Sequence, residues 1–99
     1  MAKYFLTNKA VEDLSGIWEY TYEVLSESQA DRYYEHLTNS FQEIVQNPGI
    51  GKKYDEIDKV ILGLRVGKHI VFYRVAQSND IEILRILHQR MDLKNKMDE

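Results

Sequence analysis

Cysteine is absent from the 99-residue chain, which excludes disulfide scaffolds, thiolate ligands and nucleophilic thiol chemistry. Histidine is sparse, with three residues spread widely along the sequence, so neither a metal site nor a cofactor is expected. No apolar run approaches the roughly 18–20 residues that a membrane helix needs. The opening "MAKYFLTNKA" also lacks the apolar stretch and small-residue cleavage site of a signal peptide, and the expected location is cytoplasmic. Positive charge is not in excess either: 13 Lys and Arg stand against 16 Asp and Glu, for a net charge of -3. Generic affinity for a phosphate backbone, which Lys and Arg supply by releasing counterions, is therefore not expected. There is no internal repeat and no low-complexity segment.

What is present suits a folded domain. Hydrophobic residues make up 43% and charged residues 29%, too apolar for a disordered chain. The length points to one domain over residues 1–99, with residues 89–99 as a C-terminal tail. The charge is unevenly spread. Residues 1–47 carry only Lys3, Lys9 and Arg32 against eight acids, whereas residues 48–99 hold ten cations and eight acids. The plain explanation is a solvated acidic helix face.

Periodicity orders the chain. A short apolar opening, Tyr4, Phe5 and Leu6, precedes Thr7, an acceptable N-cap. Ala10, Leu14, Ile17, Trp18, Thr21 and Leu25 then recur at three- and four-residue spacing, with Glu12, Glu19 and Glu23 opposite, which predicts an amphipathic helix ending near Leu25. Ser26, Glu27, Ser28 and Gln29 have the form of a capping box that starts a second helix. Its stripe is Ala30, Tyr33, Tyr34, Leu37, Phe41, Ile44 and Val45, and it stops at Asn47, Pro48 and Gly49. From Val60 the pattern is β-branched: strands over residues 61–66 and 69–75 joined by Gly67 and Lys68, then a third over 81–87.

These elements predict an α+β fold of order β-α-α-β-β-β, a two-helix antiparallel hairpin packed on a small, mainly antiparallel sheet. Pairing Val66 with His69 sends Arg65 and Arg74 to the same side as Phe72, on a sheet face that the helices leave partly uncovered. The stretch Gly49, Ile50, Gly51, Lys52 and Lys53 lacks Walker spacing and reads as a loop.

The richest cluster of chemical groups is "HQRMD" at the end of the last strand. His88 can serve as a general acid or base if a partner tunes it, with Arg65, Arg74, Arg85 or Arg90 stabilising an anion, a set that suits attack of a 2′-hydroxyl on the adjacent phosphate. The competing explanation is a polar strand end making local hydrogen bonds. His88 and Asp92 stand four apart without a third ligand nearby, which does not make a metal site. Most of the seven tyrosines fall on core stripes with the hydroxyl reaching water. Tyr20 projects away from its stripe and suits a protein contact.

Four segments together resemble ParE-type toxins of bacterial toxin–antitoxin modules, within the wider ParE/RelE group: "YFLTNKAVEDLSGIWEY", "NPGIGKKY", "LRVGKHIVFYRV" and "IEILRILHQRMD". The resemblance spans nearly the whole chain. It implies a type II toxin held inactive in a hetero-oligomer by a ParD-type antitoxin, and a target, DNA gyrase, engaged by protein contact without enzymatic chemistry. His88, Gln89, Arg90, Met91 and Asp92 are then the target-binding residues, Tyr20, Tyr22 and Tyr33 the antitoxin anchors, and Asp92 caps Leu93–Met97 if that segment is helical. The alternative is a RelE-like ribosome-dependent mRNA endonuclease using Arg65, Arg74 and His88. Such nucleases resemble this chain less in being strongly basic and in carrying a tyrosine near the end of the last strand. A third reading is an interaction module without toxicity.

Overall fold

A computed structural model describes residues 2–91 and 93–97. The elements run β1 (Tyr4–Leu6), α1 (Asn8–Val24), α2 (Glu27–Gln46), β2 (Lys52–Lys53), β3 (Leu62–Val66), β4 (His69–Val75), β5 (Ile81–His88) and α3 (Leu93–Met97). The predicted order is present with two additions, β2 inside a stretch read as loop and the short α3. One five-stranded sheet has the order β1-β5-β4-β3-β2. All its pairs are antiparallel except β1 with β5, which is parallel.

Both long helices begin where their caps predict. Thr7 Oγ1 accepts the Ala10 N–H at 3.1 Å, and Ser26 Oγ accepts the Gln29 N–H at 3.2 Å, satisfying donors that a helix N-terminus leaves orphaned. Ala10, Leu14, Leu37, Phe41 and Ile44 meet Val66, Val71, Tyr73, Ile81, Ile83 and Ile86 in the main core. Two positions of the predicted stripes are exposed instead. Leu25 is the C-cap of α1, where the backbone leaves helical geometry, and Tyr34 faces solvent on α2.

Tyr73 pins the segment after α2. The residue is fully buried, and its hydroxyl donates to Pro48 O at 2.7 Å while accepting the Gly51 N–H at 2.9 Å. This hydroxyl does not reach water as expected of the tyrosines; burial pushes its pKa up. A Cβ on Gly51 would stand 2.6 Å from it, so only glycine lets the chain pass this close before β2 begins.

The second sheet face is better covered than the sequence suggested. Ile61, Ile70, Phe72 and Leu87 form a second cluster under Tyr54 and Ile57 from the loop and Leu93 and Met97 from α3. Tyr54 meets Phe72 edge-on with ring centroids 5.1 Å apart.

One irregularity organises the end of the sheet. Phe72 pairs with Arg85 but Tyr73 pairs with Ile83, so Leu84 is an extra residue in β5, a β-bulge. Strict alternation after Ile81 and Ile83 would turn Ile86 and His88 away from the helices; the bulge turns both toward them. Beyond the end of β1, side chains of the α1 segment continue the hydrogen bonding of β5. Thr7 Oγ1 donates to Leu84 O at 2.8 Å, and Asp13 Oδ2 accepts the Ile86 N–H at 3.0 Å. Asp13 also takes Arg85 in a bidentate pair at 2.8 and 3.0 Å, and Arg85 donates further to Lys96 O at 2.7 Å.

Two outcomes follow for stability. Asp13→Ala removes the carboxylate partner of the Arg85 guanidinium and the acceptor of the Ile86 N–H at a site where the paired side chains are 11% and 14% exposed; urea denaturation should show a loss of about 3–5 kcal/mol. Ending the chain after His88 removes Leu93 and Met97 from the second cluster, so the melting temperature should fall and binding of a hydrophobic dye should rise.

Candidate functional site

The β3–β4 turn sets the geometry. Gly67 adopts a φ of +60°, the sign that a two-residue hairpin with glycine first requires, and a Cβ there would lie 2.7 Å from the Tyr33 ring. Glycine thus lets α2 lay Tyr33 directly on the turn. The next residues place His69 opposite Val66 on one side and opposite His88 on the other. The two imidazole rings meet edge-on with centroids 5.3 Å apart.

Tyr33 is the hub of this cluster. Its hydroxyl lies 2.7 Å from His69 Nδ1 and 3.2 Å from Val66 O, and it accepts the Lys68 N–H at 3.1 Å. Burial raises the Tyr33 pKa, opposed by the backbone N–H groups of Lys68 and His69. Burial is also the main reason that the His69 pKa is pushed down to about 4, with His88 adding to the effect and Asp13 opposing it. His69 is neutral at physiological pH.

A groove of about 570 Å³ opens above this floor. Its wall is the last turn of α1, where Tyr20, Val24 and Leu25 are exposed, and its floor is Tyr33, Lys68, His69 and His88. Tyr20, singled out as turned away from the core stripe, is 67% exposed. Tyr20 and Tyr33 therefore share one site. Tyr22 does not join them: two residues on, about 200° around the helix, it stacks on Trp18 at 5.3 Å with planes 6° apart. Trp18 in turn donates to Asp31 at 3.0 Å.

Residues 88–91 form a tight turn in which three successive N–H groups are hydrogen-bonded. Gln89 N–H donates to Lys68 O at 2.9 Å, Arg90 N–H to His88 Nδ1 at 3.1 Å and Met91 N–H to His88 O at 3.0 Å. His88 faces the helix side. Gln89 lines a second groove of about 530 Å³ on the other face, with Lys52, Tyr54 and Arg65. The Arg90 and Met91 side chains stand exposed between the two. Asp92 lies outside the described residues, and so does the cap it was expected to provide for α3.

The three residues considered for RNA cleavage are not brought together. Arg65 and Arg74 lie on the second sheet face, as their register predicted, whereas the bulge puts His88 on the opposite one. Arg74 is ion-paired with Glu82 near the far end of β4, five residues from His69 or about 17 Å along the strand. Arg65 donates to Gly67 O at 3.3 Å. Arg85, also considered as an anion-binding group, is engaged by Asp13 and Lys96. Sequence reasoning passed over His69, Lys68 and Asp13. The turn and register that place His69 were legible, but the bulge that brings His88 to it was not.

A family profile described as "ParE toxin of type II toxin-antitoxin system, parDE" matches residues 4–93. The chain belongs to the ParE toxin family. Among its ParE relatives, Toxin ParE1 of Mycobacterium tuberculosis is 35% identical over 96 residues, 97% of this chain and 98% of that one. Toxin ParE1 of Caulobacter vibrioides is 33% identical over 94 residues, covering 95% and 96% of the two chains. Solved structures share the ParE fold. One from the chromosomal ParDE system of P. aeruginosa superposes with a TM-score of 0.75 at 20% identity, covering 89% of this chain and 95% of the other. One from the RelBE2 toxin–antitoxin complex of M. tuberculosis gives 0.69 at 18%, covering 89% and 98%.

The depressed His69 pKa has a measurable sign. Between about 4 and the ordinary histidine value of 6.5, the unfolded chain binds a proton at this residue that the folded ParE chain does not, so stability from this source is lost as pH falls through that window. Urea denaturation across the window should show a steeper acid loss for the wild type than for His69→Gln; parallel profiles would contradict the assignment.

Proposed function

We propose that this toxin inhibits DNA gyrase by protein–protein contact, without bond-breaking chemistry of its own, and that a ParD-type antitoxin neutralises it. The observation that carries the reading is the turn at residues 88–91. The N–H groups of Gln89, Arg90 and Met91 are taken up by Lys68 O and by His88 itself, so the exposed Arg90 and Met91 side chains extend from a held scaffold. A directed cation beside an adaptable apolar group on a preorganised turn is the composition of an interface anchor. His88 and Gln89 flank it on the two sheet faces, and Asp92 follows in sequence. The separation of Arg65 and Arg74 from His88 supports contact over RNA cleavage, because general acid–base work needs its groups within hydrogen-bond reach of one substrate.

For the antitoxin, the reading places an amphipathic segment in the groove between Tyr20 and Tyr33, with Tyr22 as an outlying contact on the Trp18 side. Tyr33→Phe is the informative variant there, since alanine would also empty the space above Gly67.

The test adds purified toxin separately to a gyrase supercoiling reaction and to a translating ribosome extract. Linear DNA in the first is the expected result. The Arg90→Ala/Met91→Ala variant should lose about tenfold or more in potency, the scale of one anchor worth ~1.4 kcal/mol, while keeping its melting temperature and antitoxin binding. Cut message in the second reaction, dependent on His88, would overturn the reading in favour of a nuclease. Inactivity in both would favour an interaction module.

A further inference from the structure

The groove beside Tyr33 has an electrostatic character of its own. Among the described residues, no aspartate or glutamate lines it, although the α1–α2 half of the chain carries eight acids. Three large apolar side chains on its wall, Tyr20, Val24 and Leu25, are each more than half exposed. Its floor offers Lys68 and two imidazoles. An apolar wall over a cationic or protonatable floor complements a segment that is apolar on one side and carries a carboxylate on the other.

The hydrogen bonds at the floor are compatible with two protonation states. Tyr33 has one hydroxyl proton and three neighbours: the Lys68 N–H, which only donates, Val66 O, which only accepts, and His69 Nδ1, which can do either. With His69 neutral and its proton on Nε2, Tyr33 donates to Nδ1. With Nδ1 protonated, the imidazolium donates to the Tyr33 oxygen and Tyr33 turns its proton to Val66 O. Protonation of Nδ1 loses no hydrogen bond and frees the Tyr33 proton for Val66 O. What favours the neutral ring is burial and the neighbouring His88, and an incoming carboxylate would oppose both.

We propose that the groove seats an apolar antitoxin segment whose carboxylate docks on His69 and His88, and that docking draws a proton into the Tyr33–His69 pair; this rests on the antitoxin reading above. Groups around His69 come from every neighbouring element. They are Tyr33 on α2 with His36 beyond it, Asp13 on α1, His88 on β5, Lys68 in the turn, and Arg90, whose N–H holds His88. Asp13, the one carboxylate among these, already accepts Arg85 and the Ile86 N–H. Among the described residues no other carboxylate stands there, and the compensating negative charge is assigned to the partner.

The test measures the toxin alone and in complex with a ParD-type antitoxin. Ring-nitrogen NMR should find His69 neutral in the free toxin down to about pH 5 and an imidazolium in the complex at about pH 6. Calorimetry in two buffers of different ionisation enthalpy should find about one proton taken up per toxin, and affinity should strengthen as pH falls from about 7.5 to 5.5, approaching tenfold per unit. His69→Gln should bind without the uptake; should that variant not fold, the wild-type ring spectra decide alone. A complex in which His69 stays neutral and no proton is taken up overturns the proposal and leaves the antitoxin reading standing. Uptake located at His88 alone overturns the Tyr33–His69 assignment. An antitoxin that forms no complex overturns both, and a His69 ring that titrates with toxin concentration alone would assign the groove to a second copy of the chain.

Discussion

Where Phe72 and Tyr73 meet β5, the partner strand spends one residue more than its neighbour, and the segment that opens α1 bonds to the bulge and to the residues after it. Thr7 takes Leu84 O, and six residues later Asp13 takes the Ile86 N–H together with the Arg85 guanidinium. Helix α1 thus completes an edge that the three-residue β1 is too short to cover. An uncovered edge would be a row of unpaired donors and acceptors open to another strand. Because the bulge inverts the alternation of β5, Asp13 also determines where everything after it points. Ile86 goes into the main core, Leu87 under α3, and His88 onto His69.

From that inversion come two surfaces with different chemistry. On the helix side, the end of β5 meets Tyr33 and the last turn of α1, giving an apolar groove with imidazoles at its base. On the other side, Gln89 meets Arg65, Lys52 and Tyr54, where Lys52 Nζ stands 5.5 Å from the Tyr54 ring centroid. The turn at residues 88–91 lies at the boundary. Its connection to the Lys68 carbonyl means that the hairpin turn and the end of the last strand behave as one unit, so anything seated against Lys68 and His69 also bears on the segment that carries Arg90 and Met91.

Much of this was legible before any coordinates. Helix caps at Thr7 and Ser26, the stop after Gln46, the hairpin at Gly67 and the pairing of Val66 with His69 all rest on local rules, and local rules survive folding when the periodic pattern agrees with them. Three features were not legible, each for a physical reason. The bulge leaves no mark in "IEILRILH", because a continuous apolar run satisfies either alternation equally well. β2 forms because Tyr73 drags Gly51 onto the sheet, a long-range contact between residues far apart in sequence. Lastly, α3 is five residues long, below what helix propensity alone sustains, and it exists through Leu93 and Met97 on the second cluster and Lys96 O on Arg85.

The bulge also bears on which task the end of β5 is assembled for. Contact with a partner uses an exposed, held turn at the end of β5, whereas acid–base chemistry would need the histidine and the arginines within reach of one substrate. Since a single inserted residue exchanges the faces, the same residue types at the same strand end can be assembled for either task, and the presence of arginine and histidine in the sequence does not by itself assign one. The faces are set by parity between His88 and Arg65 across the ladder. In this chain the parity is odd, with His88 turned toward Tyr33 and Arg65 toward Lys52 and Gln89. The histidine is left to the groove and Arg65 to the opposite face.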